Sequence, residues 1–286
     1  MPSAPHSPFA LRQRMRRVGT LPWCAGLALV SILAAGPALA QDITFTATGA
    51  PQPYAIANVQ PDVRGLAPGM GEAEARAALA KAYPASRIEA TKATITYLSD
   101  GVAFRSRPVL TQMTAQASGP GTQEEVTLSF GLPTTGSPLL GIQRRVDFGS
   151  SAAAPQVAPL VGQLIEKYGP PSFRRGEEAA PVQSLIWVFG TGKVQPCGTK
   201  APCPAVSATF AIGRLDSYRA AVEEKQDLLI QVDLIVQAGG RVRSFKTTLA
   251  DNRGAVASYE AAQSQIVAAV DARAAQQGTA PETPKF

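Results

Sequence analysis

Polar and apolar residues follow the same order twice along the chain: an amphipathic segment, a tyrosine, a proline, and then a segment of alternating polarity. In the first copy Leu79 stands four residues before Tyr83, and in the second Leu164 stands four residues before Tyr168. Apolar residues three and four apart predict a helix, whereas alternation predicts a strand with one buried face. Because such a unit cannot bury its apolar face alone, we expect an α+β fold of two helix-plus-antiparallel-sheet units with a C-terminal helix.

Four segments have the spacing of a helix. Glu72 and Glu74 open the first segment, where negative charge suits the positive end of the helix dipole, and Lys81 lies near its end. The second segment carries an apolar stripe that predicts a core helix. The predicted helices are residues 72–82, 155–168, 217–225 and 251–275.

Alternating polarity predicts the strands. Val126, Leu128 and Phe130 share one face of the cleanest example. Turn residues at 99–101 and 238–241 predict two hairpins. The expected strands are residues 88–98, 102–104, 109–117, 125–132, 139–148, 185–189 as a central strand, 205–213, 227–237 and 242–249.

These elements suggest a domain plan. Prolines in the segment before the first helix predict an extended arm that lies over the core. The plan is an arm at residues 41–66, a first unit at 67–150, a second unit with a disulfide loop at 151–250, the C-terminal helix at 251–275 and a disordered tail at 276–286.

The first 40 residues have the pattern of a secretory signal peptide. Four arginines precede an apolar run from Leu21 to Leu33, and Ala38-Leu39-Ala40 forms a small-residue cleavage site. The run is shorter than the roughly 20 residues that span a bilayer. We therefore expect cleavage near Ala40, a periplasmic or secreted protein, and no integral membrane span in the mature chain.

Removal of residues 1–40 changes the charge of the protein. Four of the 27 basic residues and none of the 21 acidic residues lie there, which leaves a balance of +2. A nucleic-acid-binding protein clusters Lys and Arg on its folded part. The remaining chain has only short arginine pairs, so no nucleic-acid partner is predicted.

Cys197 and Cys203 remain after Cys24 leaves with the signal peptide. Their spacing matches neither a CxxC redox pair nor the usual zinc knuckle. In an oxidising compartment the pair predicts a disulfide that closes a loop rich in Pro and Gly and contributes about 2 kcal/mol to stability.

Histidine is absent from the mature sequence, since His6 lies in the signal peptide. Its absence excludes Ser-His-Asp and Cys-His nucleophiles and histidine-containing zinc sites. No P-loop, dinucleotide or EF-hand motif is found. We predict no catalytic residue, no metal site and no cofactor.

Carboxylate chemistry remains open, because two Asp or Glu residues are enough to hydrolyse a glycosidic bond. Asp147 and Asp233 lie within apolar strands and are the best candidates for such a pair. The other candidates are Glu124, Glu125, Glu166, Glu177 and Glu178.

The segment from Gly69 to Leu79, Gly-Met-Gly-Glu-Ala-Glu-Ala-Arg-Ala-Ala-Leu, resembles the opening of the first helix in the small outer-membrane assembly lipoproteins of the SmpA/OmlA type. It is similar also to the related beta-lactamase-inhibitor-like fold. The resemblance covers about a dozen residues and lacks both the Gly-x-Pro after the leucine and the lipid-bearing cysteine. It implies a helix pair on an antiparallel sheet and a protein that acts by binding other proteins.

Three functions are left, and each makes a structural prediction. A non-enzymatic envelope protein that binds another protein predicts an exposed apolar groove. A protein that binds an anionic envelope polymer predicts a continuous patch of Arg144, Arg145, Arg174 and Arg175. A hydrolase predicts a cleft with two carboxylates about 5–10 Å apart. The protein-binding function ranks first.

Overall fold

The computed structural model describes residues 41–54, 56, 59–99, 102–152, 154–176, 180–190, 193–194, 197 and 203–278. Within these ranges the predicted α+β class is confirmed: α-helices accompany a nine-stranded antiparallel sheet and a three-stranded sheet. The predicted signal peptide and residues 279–286 of the predicted tail lie outside the described residues.

All four predicted helices form. They are α1 (Glu72–Ala82), α2 (Val157–Tyr168), α3 (Leu215–Glu223) and the C-terminal α4 (Asn252–Gly278). The helix α4 continues through residues 276–278, so this part of the predicted tail is helical instead. In the part of the chain that the structure describes, no helix is long and apolar enough to cross a membrane.

The strands are β1 (Gln41–Ile43), β2 (Ile88–Ala93), β3 (Thr96–Ser99), β4 (Val102–Ser106), β5 (Val109–Gly119), β6 (Thr122–Phe130), β7 (Leu139–Asp147), β8 (Phe173–Arg175), β9 (Val182–Gly190), β10 (Lys193–Val194), β11 (Leu228–Gln237) and β12 (Arg241–Asp251). The main sheet has the order β10-β9-β11-β12-β7-β6-β5-β2, with β8 also paired to β9. The strand β9 has neighbours on both sides and is therefore internal.

The strands predicted for two helix-sheet units form one continuous sheet, except for β3 and β4. The ladder between β7 and β12 joins them, with Ile142 opposite Leu249. One cross-strand row runs through Leu128, Ile142, Leu249, Ile230 and Trp187. These side chains are buried against α1 and α2, and we call this side of the sheet the helix face.

The opposite side, which we call the polar face, has charged and amide side chains on most strands. Its central row contains Gln116, Glu125, Arg145, Lys246, Asp233 and Ser184, each opposite the next across the sheet. Such alternation of apolar and polar sides is typical of an antiparallel sheet with one solvated face.

Residues 41–66 contribute both to the core and to the small sheet. Val63 and Leu66 are buried among the side chains of the helix face. Between them, Arg64 and Gly65 both have positive φ, of 56° and 81°. Since this turn closes a two-residue hairpin between Val63 and Leu66, it matches the type I′ geometry in which glycine is favoured.

The small sheet has the order β1-β4-β3 and packs on α4. Phe104 of β4 and Ile43 of β1 form a buried cluster with Ile266 of α4. The predicted hairpin at residues 99–101 is therefore the β3–β4 pair. The predicted strand 88–98 divides into two, because β2 pairs with β5 in the main sheet instead.

The predicted strand at residues 205–213 was wrong. The segment is irregular and lies across the polar face, where the carbonyl oxygen of Ala208 comes so close to Gly141 that a Cβ there would be 2.1 Å away. Val206 and Phe210 pack on the sheet, and the residues between them are exposed except for Ala208. A segment lying flat on a sheet therefore shows the alternation of a strand without pairing as one.

The predicted disulfide is confirmed. Cys197 and Cys203 are bonded, with their Cα atoms 5.1 Å apart. Both pack against a buried cluster on the polar face that includes Ile186 and Val188. The bond therefore fixes the start of the segment that covers this end of the sheet.

Candidate functional site

The candidate site is an apolar groove between the small sheet and the C-terminal helices, which we call the β3 groove. Ile95 and Tyr97 form one wall, Ile212 and Leu215 the other, and Ile266 and Val267 of α4 the floor. Its volume is about 230 Å³. Small-molecule pockets usually measure roughly 300–1,000 Å³, so this groove is better suited to side chains than to a whole cofactor.

Large apolar side chains are exposed at the β3 groove. Val267 and Tyr97, which both line the groove, have relative exposures of 48% and 43%. Leu98 is 70% exposed, but it directly follows Tyr97 in β3 and therefore points to the other side of the small sheet. Two exposed apolar residues that line one groove differ from the scattered apolar residues of an ordinary surface, which need no explanation. They indicate a surface that a partner would cover.

Elements distant in sequence position the β3 groove. The contacts of Phe104 with Ile266 hold the β3–β4 hairpin on α4. The helix α3 packs on α4 through Tyr218 and Tyr259, whose ring centroids are 5.9 Å apart. The groove is the space left between these two packed units.

The rim of the β3 groove is polar. Asp216 in the first turn of α3 has a side chain that is 96% exposed. Arg219 pairs with Asp216 at 3.0 Å and with Glu260 of α4 at 2.8 Å. Arg214, between the groove residues Gly213 and Leu215, places a second guanidinium in this region.

The four predicted arginines do not lie together. Arg144 and Arg145 are adjacent in β7, so their side chains point to opposite faces of the sheet. Arg174 and Arg175 are likewise split between the two faces at β8. Three strands, β9, β11 and β12, separate β8 from β7. The structure therefore has no continuous patch of these four arginines.

Arg144 is instead the centre of a buried polar cluster on the helix face. Its Nε atom lies 2.6 Å from Oε1 of Glu124, and the two side chains are only 18% and 11% exposed. Tyr83, which directly follows α1, donates a hydrogen bond to the same carboxylate. Arg64 binds Oε2 at 3.3 Å. We call these four residues the Glu124 cluster.

Electrostatics in the Glu124 cluster favour the charged carboxylate. Burial alone would raise the pKa of Glu124, but hydrogen bonds from Arg144 and Tyr83 lower it below its ordinary value. Burial and the bond to Glu124 raise the pKa of Tyr83. Glu124 is therefore a fixed anion that accepts hydrogen bonds, and its surroundings oppose a role as a general acid.

A second tyrosine occupies the matching place at the end of α2. Tyr168 donates a hydrogen bond of 2.7 Å to the carbonyl oxygen of Asp62, and Lys167 lies 3.0 Å from the carboxylate of Asp62. Both repeated tyrosines thus contact residues 62–64. Tyr83 lies beside Arg64 in the Glu124 cluster, and Tyr168 bonds to Asp62. Their repetition is explained by this shared packing role.

The carboxylates Asp147 and Asp233 are both on the polar face but far apart. Asp147 of β7 is opposite Ser244 of β12, and Asp233 of β11 is opposite Lys246 of β12. The two aspartates are therefore two strands apart and offset by two residues along the strands. Standard strand spacings place their Cα atoms about 12 Å apart. Glu125 is nearer to Asp147, since it lies on the same face of the adjacent strand β6, opposite Arg145. The same spacings place the Cα atoms of Glu125 and Asp147 about 8 Å apart.

Asp233 belongs to a local network. It accepts hydrogen bonds from Ser184 at 2.8 Å and from Gln231 at 2.7 Å, and Lys246 lies at 3.4 Å. Glu177 and Glu178 lie outside the described residues. Among the residues that the structure describes, no group of three or more His, Cys, Asp or Glu could hold a metal ion.

Asp251 is a buried carboxylate that sequence reasoning missed. It is 2% exposed and accepts a hydrogen bond of 2.8 Å from the backbone N–H of Gly254 at the start of α4. Burial, together with the nearby charge of Asp227, raises the pKa of Asp251 to about 7. The sequence signal that could have identified Asp251 is its position at the end of an apolar strand.

The substitution Asp251→Asn is expected to remove a pH dependence of stability. Because the folded pKa of Asp251 exceeds the unfolded one, its contribution is complete below about pH 4 and is lost as the pH rises through about 7. We expect the wild-type free energy of unfolding to fall by about 2 kcal/mol between pH 5 and pH 8. The variant should show a smaller fall, since asparagine is neutral and still caps α4.

Denaturant unfolding at pH 5 and pH 8 measures this slope. The window contains no histidine titration, because residues 41–286 lack histidine. The groups facing Asp251 are Asp227, Tyr54 and Arg253. Asp216→Asn, at an exposed carboxylate, is the control and should keep the wild-type slope. Equal slopes in the wild type and Asp251→Asn would contradict the prediction.

An exposed apolar groove was expected for a protein-binding function, but the sequence did not indicate which residues would form it. The exposed residues of the β3 groove lie on β3 and α4, which are about 170 positions apart, and only their packing joins them. The resemblance of residues 69–79 to assembly lipoproteins stays a prediction. Comparison of the chain with protein-family models, with curated proteins and with solved structures finds no match in any of the three.

Proposed function

We propose that this protein is a non-enzymatic accessory protein of the cell envelope that binds another protein through the β3 groove. The observation that carries the proposal is the pair of Tyr97 and Val267, two large apolar side chains that line one groove and are exposed. Apolar surface of this kind gains free energy when a partner covers it, by about 25 cal/mol for each Å² removed from water.

The geometry of the other candidate residues favours this function over its two rivals. A polymer would be held by several cations on one surface, but Arg144 is paired with Glu124 and faces away from Arg145. A hydrolase needs two converging carboxylates, but Asp147 and Asp233 are two strands apart, and Glu125 on the strand next to Asp147 lies opposite Arg145 and accepts a hydrogen bond from Gln116. A protein partner requires only shape and apolar contact, which the β3 groove supplies.

The secretory pattern of residues 1–40 supports a periplasmic location for this proposal. The disulfide is consistent with an oxidising compartment. Partners in the same compartment are other envelope proteins, and the proposal needs no cofactor.

A photo-crosslinking experiment tests the proposal. A photoreactive amino acid replaces Tyr97, which lines the groove, and the protein without residues 1–40 is irradiated in envelope extract of the source organism. We expect discrete protein adducts that disappear in Val267→Glu, because a buried, unpaired carboxylate opposes an apolar contact. Adducts identified by mass spectrometry name the partner.

Val182→Glu is the matched control. Val182 is 58% exposed, similar to Val267, but lies at the start of β9 on the main sheet. This variant should keep the adducts and the thermal stability of the wild type. Adducts that persist in Val267→Glu, or that disappear equally in Val182→Glu, would exclude the β3 groove as the binding site.

A further inference from the structure

The strand β3 is an edge strand: within the described part of the chain, no other strand pairs with its outer side. It is the last strand in the order β1-β4-β3, and it borders the β3 groove through Thr96 and Tyr97. An edge strand presents a row of backbone N–H and C=O groups that another strand can pair with.

The alternation of hydrogen-bonded and non-hydrogen-bonded residue pairs along the hairpin shows which backbone groups face the open side. The N–H of Ser106 donates to the carbonyl of Ile95 at 2.9 Å, which marks this pair as hydrogen-bonded. Because such pairs alternate in an antiparallel ladder, Tyr97 bonds to its partner Phe104. The N–H and C=O groups of Thr96 and Leu98 therefore point away from β4, towards the open edge.

The edge of β3 is only four residues long, but its sequence contains none of the residues that usually block an edge. The sequence of β3 is Thr-Tyr-Leu-Ser, with no charge, no proline and two exposed apolar side chains, Tyr97 and Leu98. Natural edge strands are usually blocked by lysine, proline or a bulge. The available edge and the exposed side chain of Tyr97 both lie beside the apolar groove.

We propose that the β3 groove binds an extended segment of an envelope protein, which adds to the open edge of β3 as a further strand. This inference rests on the proposed function and specifies its partner. The added backbone pairs with Thr96 and Leu98, and an apolar side chain of the segment enters the groove above Ile266 and Val267. Main-chain bonds supply affinity in this mode, and alternate side-chain pockets supply specificity.

Charge at the rim selects among such segments. Asp216 lines the groove, its side chain is almost fully exposed, and its partner Arg219 also pairs with Glu260. A lysine or arginine in the bound segment complements the carboxylate of Asp216. The favoured segment therefore alternates apolar residues and carries a basic residue.

A random peptide library displayed on phage, selected on the protein without residues 1–40, tests the inference. We expect selected peptides with apolar residues at every second position and a Lys or Arg. Synthetic copies should lose about tenfold or more in affinity when alternate backbone nitrogens are methylated on the edge that faces β3, because each methyl group removes a hydrogen bond. Methylation on the opposite edge should change affinity by less than about twofold.

Two variants at one position separate the backbone from the side chain. Leu98→Pro removes the outward N–H while leaving the β3–β4 bonds at Tyr97 in place, and proline is tolerated on edges. We expect it to weaken peptide binding about tenfold. Leu98→Val keeps the N–H and should bind within about twofold of the wild type. Circular dichroism and thermal unfolding confirm that both variants are folded.

The outcomes distinguish the inference from the proposed function. Peptides that depend on Val267 but have helical spacing, or that tolerate backbone methylation, would overturn strand addition and keep protein binding at the β3 groove. Equal binding by Leu98→Pro and Leu98→Val would also overturn strand addition. If no crosslinked adduct and no selected peptide depended on Val267, both strand addition and protein binding at the β3 groove would be overturned.

Discussion

Replacing Glu124 with alanine is expected to lower the free energy of unfolding by about 3 kcal/mol. The substitution removes the carboxylate that Arg144 contacts at 2.6 Å, in a place where the Arg144 side chain is only 18% exposed. An unpaired buried guanidinium is costly, because the interior replaces little of its hydration. Tyr83 loses its hydrogen-bond acceptor in the same step. Urea or guanidinium unfolding of the protein without residues 1–40 measures the loss.

A surface pair and a double variant serve as controls for Glu124→Ala. Glu89 pairs with Arg87 at 3.6 Å, but both side chains are mostly exposed, so Glu89→Ala should cost less than about 0.5 kcal/mol. If the unpaired charge causes the loss, Glu124→Ala combined with Arg144→Ala should cost less than the sum of the single changes. Strict additivity would show that Glu124 and Arg144 act independently, and the proposed role of the pair would fail.

Strand periodicity predicts part of the Glu124 cluster from the sequence, beginning with Glu124 itself. Glu124 shares the period-two face of Val126 and Leu128, so the pattern predicts that its side chain points towards the core. The same rule separates Arg144 from Arg145, since neighbours in a strand face opposite sides. Applied to every charged strand residue, strand periodicity predicts Arg144 and Glu124 on one buried face. Which cation meets which anion depends on strand order, which periodicity does not encode.

Local signals predict the elements of this fold better than they predict its pairings. The spacing of apolar residues in α2 and the turn residues at 238–241 are local, and both predictions are confirmed. The pairing of β7 with β12 joins residues about 100 positions apart, and no turn specifies it. The strand-like pattern of residues 205–213 shows the opposite failure, because burial alternates there through contact with the sheet and not through pairing.

The β3 groove likewise depends on pairing and packing, which local sequence signals do not predict. Tyr97 fits an ordinary strand pattern, and Val267 fits an ordinary helix pattern, so neither is distinctive alone. Their exposure depends on β3 being an edge strand and on α4 running beneath it. A functional site formed between elements distant in sequence is visible only after packing.

The continuity of the main sheet predicts the largest single loss of stability, at Trp187. This side chain is fully buried on the helix face, its Nε1–H donates a hydrogen bond of 2.8 Å to the carbonyl of Gly169, and its ring lies edge-on to Tyr168 at 5.4 Å. Trp187→Ala is expected to lower the free energy of unfolding by about 4 kcal/mol, through lost burial and the cavity that remains.

The same variant tests whether the two helix-sheet units unfold together. Trp187 lies in the second unit, but the row of side chains that it joins crosses β11, β12, β7 and β6. A continuous buried row makes unfolding cooperative, so Trp187→Ala should shift one common transition. Hydrogen exchange of β6, in the first unit, should accelerate together with that of β11.

Trp187→Phe and Ile235→Ala complete the experiment. Phenylalanine keeps most of the apolar volume and removes only the N–H donor to Gly169, so its cost should be about 1–2 kcal/mol. Ile235 on the neighbouring strand β11 is 45% exposed, and its truncation should cost less than about 1 kcal/mol. If Trp187→Ala destabilised β11 and left the exchange of β6 unchanged, the sheet would unfold in two independent parts despite its unbroken hydrogen-bond ladder.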